Sequence, residues 1–101
     1  MRSFEQSYVM FKSRIRMYLM SSTYGEVCAF IDGVDLCSGE QVMIGFRAWM
    51  IDRGTDRPEL SWWLLALDGD QPQNPKLFSG SENAMAISRL FNLLDVYLSQ
   101  R

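Results

Sequence analysis

The sequence predicts an all-α protein, a single compact domain of four to five packed helices spanning residues 1–101. Its length is that of one domain, and 48% of the residues are hydrophobic, which is enough for a core without cross-links. Five segments carry helical signals, mainly apolar residues that recur three and four positions apart. Three of these segments begin with Ser or Thr followed three residues later by Gln or Glu, the spacing of a capping box.

The first predicted helix runs from Phe4 to Leu19. Ser3 and Gln6 have the capping-box spacing at its start. Its apolar residues share one face, which we expect to pack on the core. They are Phe4, Tyr8, Phe11, Ile15, Tyr18 and Leu19.

A second helix is predicted to open at Thr23, with Glu26 at the capping-box spacing, and to continue through Val34. Gly33 lies inside this helix, where glycine costs about 1 kcal/mol relative to alanine. It therefore indicates either a close contact with another helix or an early helix end near Asp32.

Two cysteines, Cys28 and Cys37, lie nine positions apart in the segment read as helical. At 100° per residue they point to opposite sides of a helix. We therefore expect two free, buried or half-buried thiols rather than a disulfide.

A third helix is predicted after the break at Ser38-Gly39, with Ser38 and Gln41 at the capping-box spacing. It is expected to stop at Gly54, a typical left-handed cap. One face carries Val42, Phe46, Trp49 and Met50.

The segment from Pro58 to Leu67 is apolar all round and fits a central buried helix, a buried strand or a contact surface. We favour a helix, because the other predicted elements are helices and offer a strand nothing to pair with. In that helix Trp63 lies on the apolar stripe and is expected in the core. Trp62 lies off the stripe and is expected to be partly exposed, either as an anchor for a partner or as a cover for the end of the core.

A long loop is predicted from Asp68 to Ser81, because this stretch contains two Pro and two Gly residues. Leu77 and Phe78 are expected to attach it to the core. The final helix is predicted from about Ser81 to Ser99, with a continuous apolar stripe.

The net charge of −2 is unevenly distributed along the chain. Residues 1–20 hold four basic residues and one acidic residue, residues 21–45 hold four acidic and no basic residues, and residues 58–82 hold four acidic residues and one basic residue. Two interpretations remain open: solvated faces, or an acidic surface that docks a basic partner. The candidate partner-binding residues are Asp32, Asp35, Glu40, Asp68 and Asp70, with Trp62 as an apolar anchor.

The chain contains no histidine, which excludes Ser-His-Asp and Cys-His nucleophile pairs and His-ligated metals. Two short acidic stretches around glycine, at 32–35 and 68–70, lack the ligand positions of a calcium loop. No Gly-rich phosphate-binding loop is present. We therefore expect a protein that is not an enzyme and that needs no metal or cofactor.

Nucleic-acid and membrane partners are not expected either. The basic cluster Lys12, Arg14 and Arg16 is small, and the overall charge is negative. The longest run without a charge is nine residues, Met17 to Gly25, too short to cross a bilayer. The N-terminus has no apolar signal region, so a cytoplasmic protein is expected.

Three stretches in the first half of the chain resemble small bacterial proteins of unassigned role: 22–26, 32–35 and 45–50. With its small size and acidic balance, the chain is similar to immunity proteins encoded beside polymorphic or contact-dependent toxins. This resemblance implies a cytoplasmic protein that binds a cognate toxin domain and blocks its active site. The alternative is a helical adaptor or subunit that forms a homodimer through its apolar Leu60–Leu67 segment.

Overall fold

The computed structural model describes residues 3–55, 57–67 and 74–101, and these form six α-helices and no strand. The all-α prediction is therefore confirmed. The radius of gyration is 13.2 Å, close to the roughly 13 Å expected for a folded chain of this length. The helices are α1 (Phe4–Ser13), α2 (Ile15–Tyr18), α3 (Tyr24–Ser38), α4 (Val42–Asp52), α5 (Trp62–Leu65) and α6 (Gly80–Gln100), with a 3-10 turn at Pro75–Leu77.

One hydrophobic core receives side chains from α1, α3, α4, α5 and α6. Aromatic rings form much of it, because each ring buries a large apolar area. The rings of Phe11 and Phe30 stack with their centroids 4.2 Å apart and join α1 to α3. The largest fully buried side chains are Tyr8, Tyr24, Phe4, Phe11, Phe46, Ile31, Leu90, Leu94, Val27 and Val42.

The first predicted helix is divided in two at Arg14. Its capping box is confirmed, because the Ser3 and Gln6 side chains each accept a backbone N–H from the other residue. Arg14 leaves the helical conformation at φ −136° and ψ 42°, so α1 ends and the short α2 begins. Beyond the break, the Tyr18 ring packs against Phe30, with centroids 5.3 Å apart. The helical spacing therefore predicted the buried face of α1 correctly but missed the kink, and Tyr18, expected on the core face, is 42% exposed.

The start of α4 differs from the predicted capping box. Gln41, not Ser38, is the N-cap residue; its φ is 57° and its side chain caps nothing. The cap comes from α3, because the Asp35 carboxylate accepts the backbone N–H groups of Val42 at 2.7 Å and Met43 at 3.1 Å. Ser38 instead donates its hydroxyl to the Asp35 carbonyl oxygen. The predicted end is confirmed, since Gly54 follows the helix with a φ of 104°.

The segment from 58 to 67 is helical for a single turn, α5, and not over the whole predicted length. Hydrogen bonds from Arg47 of α4 hold the stretch before α5 outside the helix. The Arg47 guanidinium donates hydrogen bonds to the carbonyl oxygens of Pro58 at 2.7 Å and Leu60 at 2.9 Å. These two carbonyls are therefore satisfied by a side chain from another helix rather than by a continued helical ladder.

The two tryptophans of α5 exchange the roles expected for them. Trp62 is 7% exposed and packs edge-to-face against Phe46, whereas Trp63 is 38% exposed. The prediction of a partly exposed Trp62 and a core Trp63 is wrong. A stripe over Leu60–Leu67 requires a long helix, and α5 has only four residues.

Gly33 marks neither a close contact nor a helix end. Helix α3 continues past it to Ser38, and a Cβ added at Gly33 would meet open space. The close approach occurs at Gly45 of α4, where an added Cβ would overlap the Tyr97 hydroxyl of α6.

The stretch immediately before α6 lies within the predicted loop, Asp68 to Ser81, and contains the 3-10 turn. Residues 68–73 of this loop lie outside the described part of the chain. Phe78 packs against the core as expected, whereas Leu77 is 80% exposed. The expectation for Leu77 is therefore wrong, because this residue closes a 3-10 turn at the surface. Ser79 and Glu82 form a capping box that the sequence reading did not identify.

Candidate partner-binding surface

Four of the six candidate partner-binding residues form hydrogen bonds inside the molecule, and two of these four cap helices. Asp35 caps α4 as described above, and its side chain is half-buried. Glu40 accepts the backbone N–H of Phe4 at 2.6 Å and so caps α1. A second oxygen of Glu40 lies 3.6 Å from Arg101. Both carboxylates are therefore engaged in holding helix ends.

Asp32 and Trp62 form a pair between α3 and α5. The Trp62 indole N–H donates to Asp32 Oδ1 at 3.0 Å. Burial beside this ring raises the pKa of Asp32, the indole hydrogen bond opposes the shift, and Asp35 adds to it. Trp62 itself is buried, so it cannot anchor a partner without leaving the core. Asp68 and Asp70 lie outside the described residues.

The outer face of α3 is lined by small or apolar residues that lie in the open. Gly25, Ala29, Gly33 and Cys37 recur every four positions along it, and all four are exposed. Leu36, on the same face, is 83% exposed. Residues four apart lie on one side of a helix, so these side chains form a continuous low ridge that another chain can approach closely. We call these five residues the α3 ridge.

A depression lies on each side of the α3 ridge. The larger, about 580 Å³, lies between α1 and α3 and is lined by Ser7, Phe30 and Val34 together with ridge residues. The smaller, about 350 Å³, lies toward α5 and the 3-10 turn and includes Asp32, Trp63 and Lys76. Ala29 lines both. Its side chain therefore stands at the centre of a mainly apolar surface.

The charges carried by α3 are all negative. The helix holds Glu26, Asp32 and Asp35 and no basic residue. Hydrogen bonds from the Ser21 and Thr23 hydroxyls lower the pKa of Glu26 and so favour its ionised form. The α3 ridge is thus an apolar surface in a negative field, which suits a positively charged partner.

The basic cluster of the first helix is divided in the structure. Lys12 forms an ion pair of 2.8 Å with Asp95 of α6, and the Tyr8 hydroxyl donates to the same carboxylate at 2.8 Å. Lys12 is thus engaged in joining α1 to α6. Only Arg14 and Arg16 of the three candidate nucleic-acid residues lie outside this contact.

Two other kinds of site, a metal cluster and a membrane span, are absent from the described part of the chain. Within residues 3–55, 57–67 and 74–101, no three Cys, Asp or Glu side chains gather closely enough to hold a metal ion. None of the helices described has the length and apolar character needed to cross a bilayer.

Sequence reasoning missed Asn83, a buried polar residue of α6. Its Oδ1 accepts the backbone N–H of Tyr24 at 2.8 Å, and its amide donates to the Ser79 carbonyl oxygen at 3.1 Å. It therefore attaches the start of α3 to the start of α6. An asparagine one residue after Glu82 carries no signal of this role, because its partner lies 59 positions away.

Comparison with known protein families, curated proteins and solved structures finds no match for this chain.

Proposed function

We propose that this chain is a stoichiometric inhibitor, an immunity protein that binds a cognate toxin domain through the α3 ridge and blocks its active site. The observation that carries the proposal is the exposed ridge, flanked by two depressions on a helix that bears only negative charge. An exposed apolar surface of this kind is typical of a protein-binding site. The resemblance of the first half of the chain to immunity proteins supplies the class of partner.

The sign of the charge favours a different protein over a second copy of this chain. Pairing two α3 helices would bring the Glu26 and Asp32 carboxylates of both copies to one interface, and like charges there cost affinity. A basic toxin surface gains from the same field. The self-association alternative also depends on the Leu60–Leu67 segment, where Trp62 and Ala66 are buried in the core.

The test takes the protein encoded directly upstream of this gene as the candidate toxin, with cell growth and calorimetric affinity as readouts. We expect the full chain to restore growth and to bind with 1:1 stoichiometry. Ala29→Trp places a large ring between the two depressions, and we expect it to weaken binding at least about tenfold. The matched control is Ala84→Trp, because Ala84 is also an exposed alanine in a helix, α6.

Three results would contradict the proposal. These are a failure of the two proteins to bind, equal binding by Ala29→Trp and Ala84→Trp, and an affinity that does not fall with added salt. Circular dichroism of both variants separates loss of binding from loss of folding.

A further inference from the structure

The smaller depression beside the α3 ridge combines apolar walls with a few charged groups. Its volume is about 350 Å³, within the range of cavities that hold a ligand group. Tyr24, Ala29, Trp63 and Pro75 contribute apolar surface, and Asp32 contributes a carboxylate. This combination suits a group that has an apolar stem and a positive end.

The carboxylate of Asp32 is held in place by the core. Its Oδ1 accepts the indole N–H of buried Trp62 at 3.0 Å, which fixes the orientation of the group. Among the described residues no hydrogen-bond donor binds its other oxygen, Oδ2. The group therefore retains an acceptor for a cation in the cavity.

Trp63 supplies an aromatic wall to the same cavity. Its backbone carbonyl oxygen accepts the Tyr24 hydroxyl at 2.7 Å, which anchors the residue, while 38% of its surface stays exposed. The ring pairs of the described residues involve the other two tryptophans but not Trp63. Its ring is thus available to a ligand.

We propose that this cavity receives an arginine side chain of the partner, whose guanidinium pairs with Asp32 and stacks on the indole of Trp63. A guanidinium is planar and weakly hydrated, so it can bind a carboxylate through two hydrogen bonds and lie against an aromatic ring. A lysine ammonium forms neither the bidentate pair nor the planar stack as well. This inference rests on the proposed function, since it names the group that the partner inserts beside the α3 ridge.

Lys76 also lines the cavity, and its positive charge opposes the binding of a cation. Its residue is exposed, so its flexible stem can turn the ammonium toward solvent when the cavity fills. The remaining repulsion gives the proposal a second signature: removing the Lys76 charge strengthens binding, whereas removing the Asp32 charge weakens it.

The experiment titrates the ¹⁵N-labelled full chain with N-acetyl-arginine methylamide and follows the indole N–H resonance of Trp63, assigned with Trp63→Phe. We expect a saturable shift with a dissociation constant that is roughly millimolar, as for other small fragments. The citrulline analogue has the same shape without the charge, and we expect it to bind at least about tenfold more weakly. The lysine analogue is expected to bind more weakly as well.

Two variants complete the test. Asp32→Asn keeps an acceptor for the Trp62 indole, and we expect at least about tenfold weaker arginine binding, with a dispersed spectrum showing that the fold is intact. Lys76→Gln is expected to bind about twofold more tightly. The inference is overturned if the Trp63 resonance does not move, if citrulline or lysine matches arginine, or if Asp32→Asn binds as well as the parent chain.

These outcomes are independent of the toxin experiment. A toxin that binds the α3 ridge while the arginine probe leaves Trp63 unmoved would overturn this inference and keep the proposed function. Arginine binding without a toxin complex would overturn the proposed function and keep this inference.

Discussion

The two cysteines of α3 have opposite surroundings although they belong to one helix. Cys28 is buried in the core as expected, but Cys37 is exposed, so the expectation of a second buried or half-buried thiol is wrong. Positions nine apart lie 180° apart around a helix, and only one of these two sides faces the core. Burial raises the pKa of the Cys28 thiol to about 12; a hydrogen bond with Tyr24 opposes this and the charge of Asp32 adds to it. At physiological pH Cys28 is therefore protonated as well as inaccessible.

A thiol reagent should therefore distinguish the two residues. We expect the folded chain to react with one equivalent of Ellman's reagent at pH 8 and the unfolded chain with two, because only the thiolate is nucleophilic. Cys37→Ser should show no rapid reaction when folded. Two rapidly reacting thiols in the folded parent chain would contradict the burial of Cys28.

Trp62 and Trp63 show how far sequence reasoning reaches at the scale of one residue. Both are large and apolar, and only the direction of each side chain decides which one is buried. That direction depends on where α5 begins, which is governed by the Arg47 hydrogen bonds to Pro58 and Leu60. A contact made from another helix leaves no periodic pattern in the sequence.

At the scale of helices, the common feature is that side chains from one helix close the end of another. Asp35 of α3 caps α4, Glu40 caps α1, and Asn83 of α6 caps α3. The local capping box at Ser3 is predictable from the sequence, because its partner Gln6 lies only three residues away. The inter-helix caps leave no such local signal, so the sequence indicates only the charge of Asp35 and Glu40 and not the helix ends that they cap.

The Asp35 cap is expected to contribute measurably to stability. We expect Asp35→Ala to lower the free energy of unfolding by about 1–2 kcal/mol, the usual cost of losing a helix N-cap. Asp52→Ala is the control, since Asp52 is an exposed residue at the other end of α4. Urea denaturation would show the difference. Equal midpoints for the two variants would mean that the cap is energetically unimportant.

Two of the helical glycines, Gly33 and Gly45, should respond differently to substitution by alanine. Gly33→Ala is expected to raise the free energy of unfolding by about 1 kcal/mol, because the new methyl group meets open space and alanine favours the helix. Gly45→Ala should lose this gain, because the methyl group displaces the Tyr97 ring from its packing against Phe46 and Trp49.

A double variant tests the cause of that loss. Tyr97→Phe removes the hydroxyl that the Gly45→Ala methyl group meets, so Gly45→Ala with Tyr97→Phe should be more stable than the sum of the single effects. Strict additivity in thermal or urea unfolding would show that the hydroxyl is not the obstacle.

At the scale of the whole molecule, acid should lower the stability of the protein through three hydrogen-bonded glutamates. Hydrogen bonds lower the pKa values of Glu26, Glu59 and Glu82 below their ordinary 4.5. A carboxyl group whose pKa is lower in the folded chain than in the unfolded chain stabilises the folded state at pH values above 4.5. This stabilisation is lost as the pH falls through the pKa that the group has in the folded chain. Asp32 acts in the opposite sense, because its raised pKa favours the folded state as the pH falls toward 3.8.

We expect the urea midpoint to fall between pH 6 and pH 3, and to fall less in Glu82→Gln, which keeps a capping side chain but does not titrate. Glu5→Gln is the control, since Glu5 is an exposed residue of the first turn of α1. Parallel pH curves for the parent chain and Glu82→Gln would contradict the contribution of this capping box.

The attachment of α3 at both ends has a consequence for how the proposed partner would be bound. Its first residue is attached to α6 by Asn83, and its last turn to α4 by Asp35. A helix held at both ends has little backbone freedom left to lose, so association should cost mainly the immobilisation of the partner's side chains. We therefore expect recognition without rearrangement of the chain, at a rate governed by the encounter of charged surfaces rather than by folding.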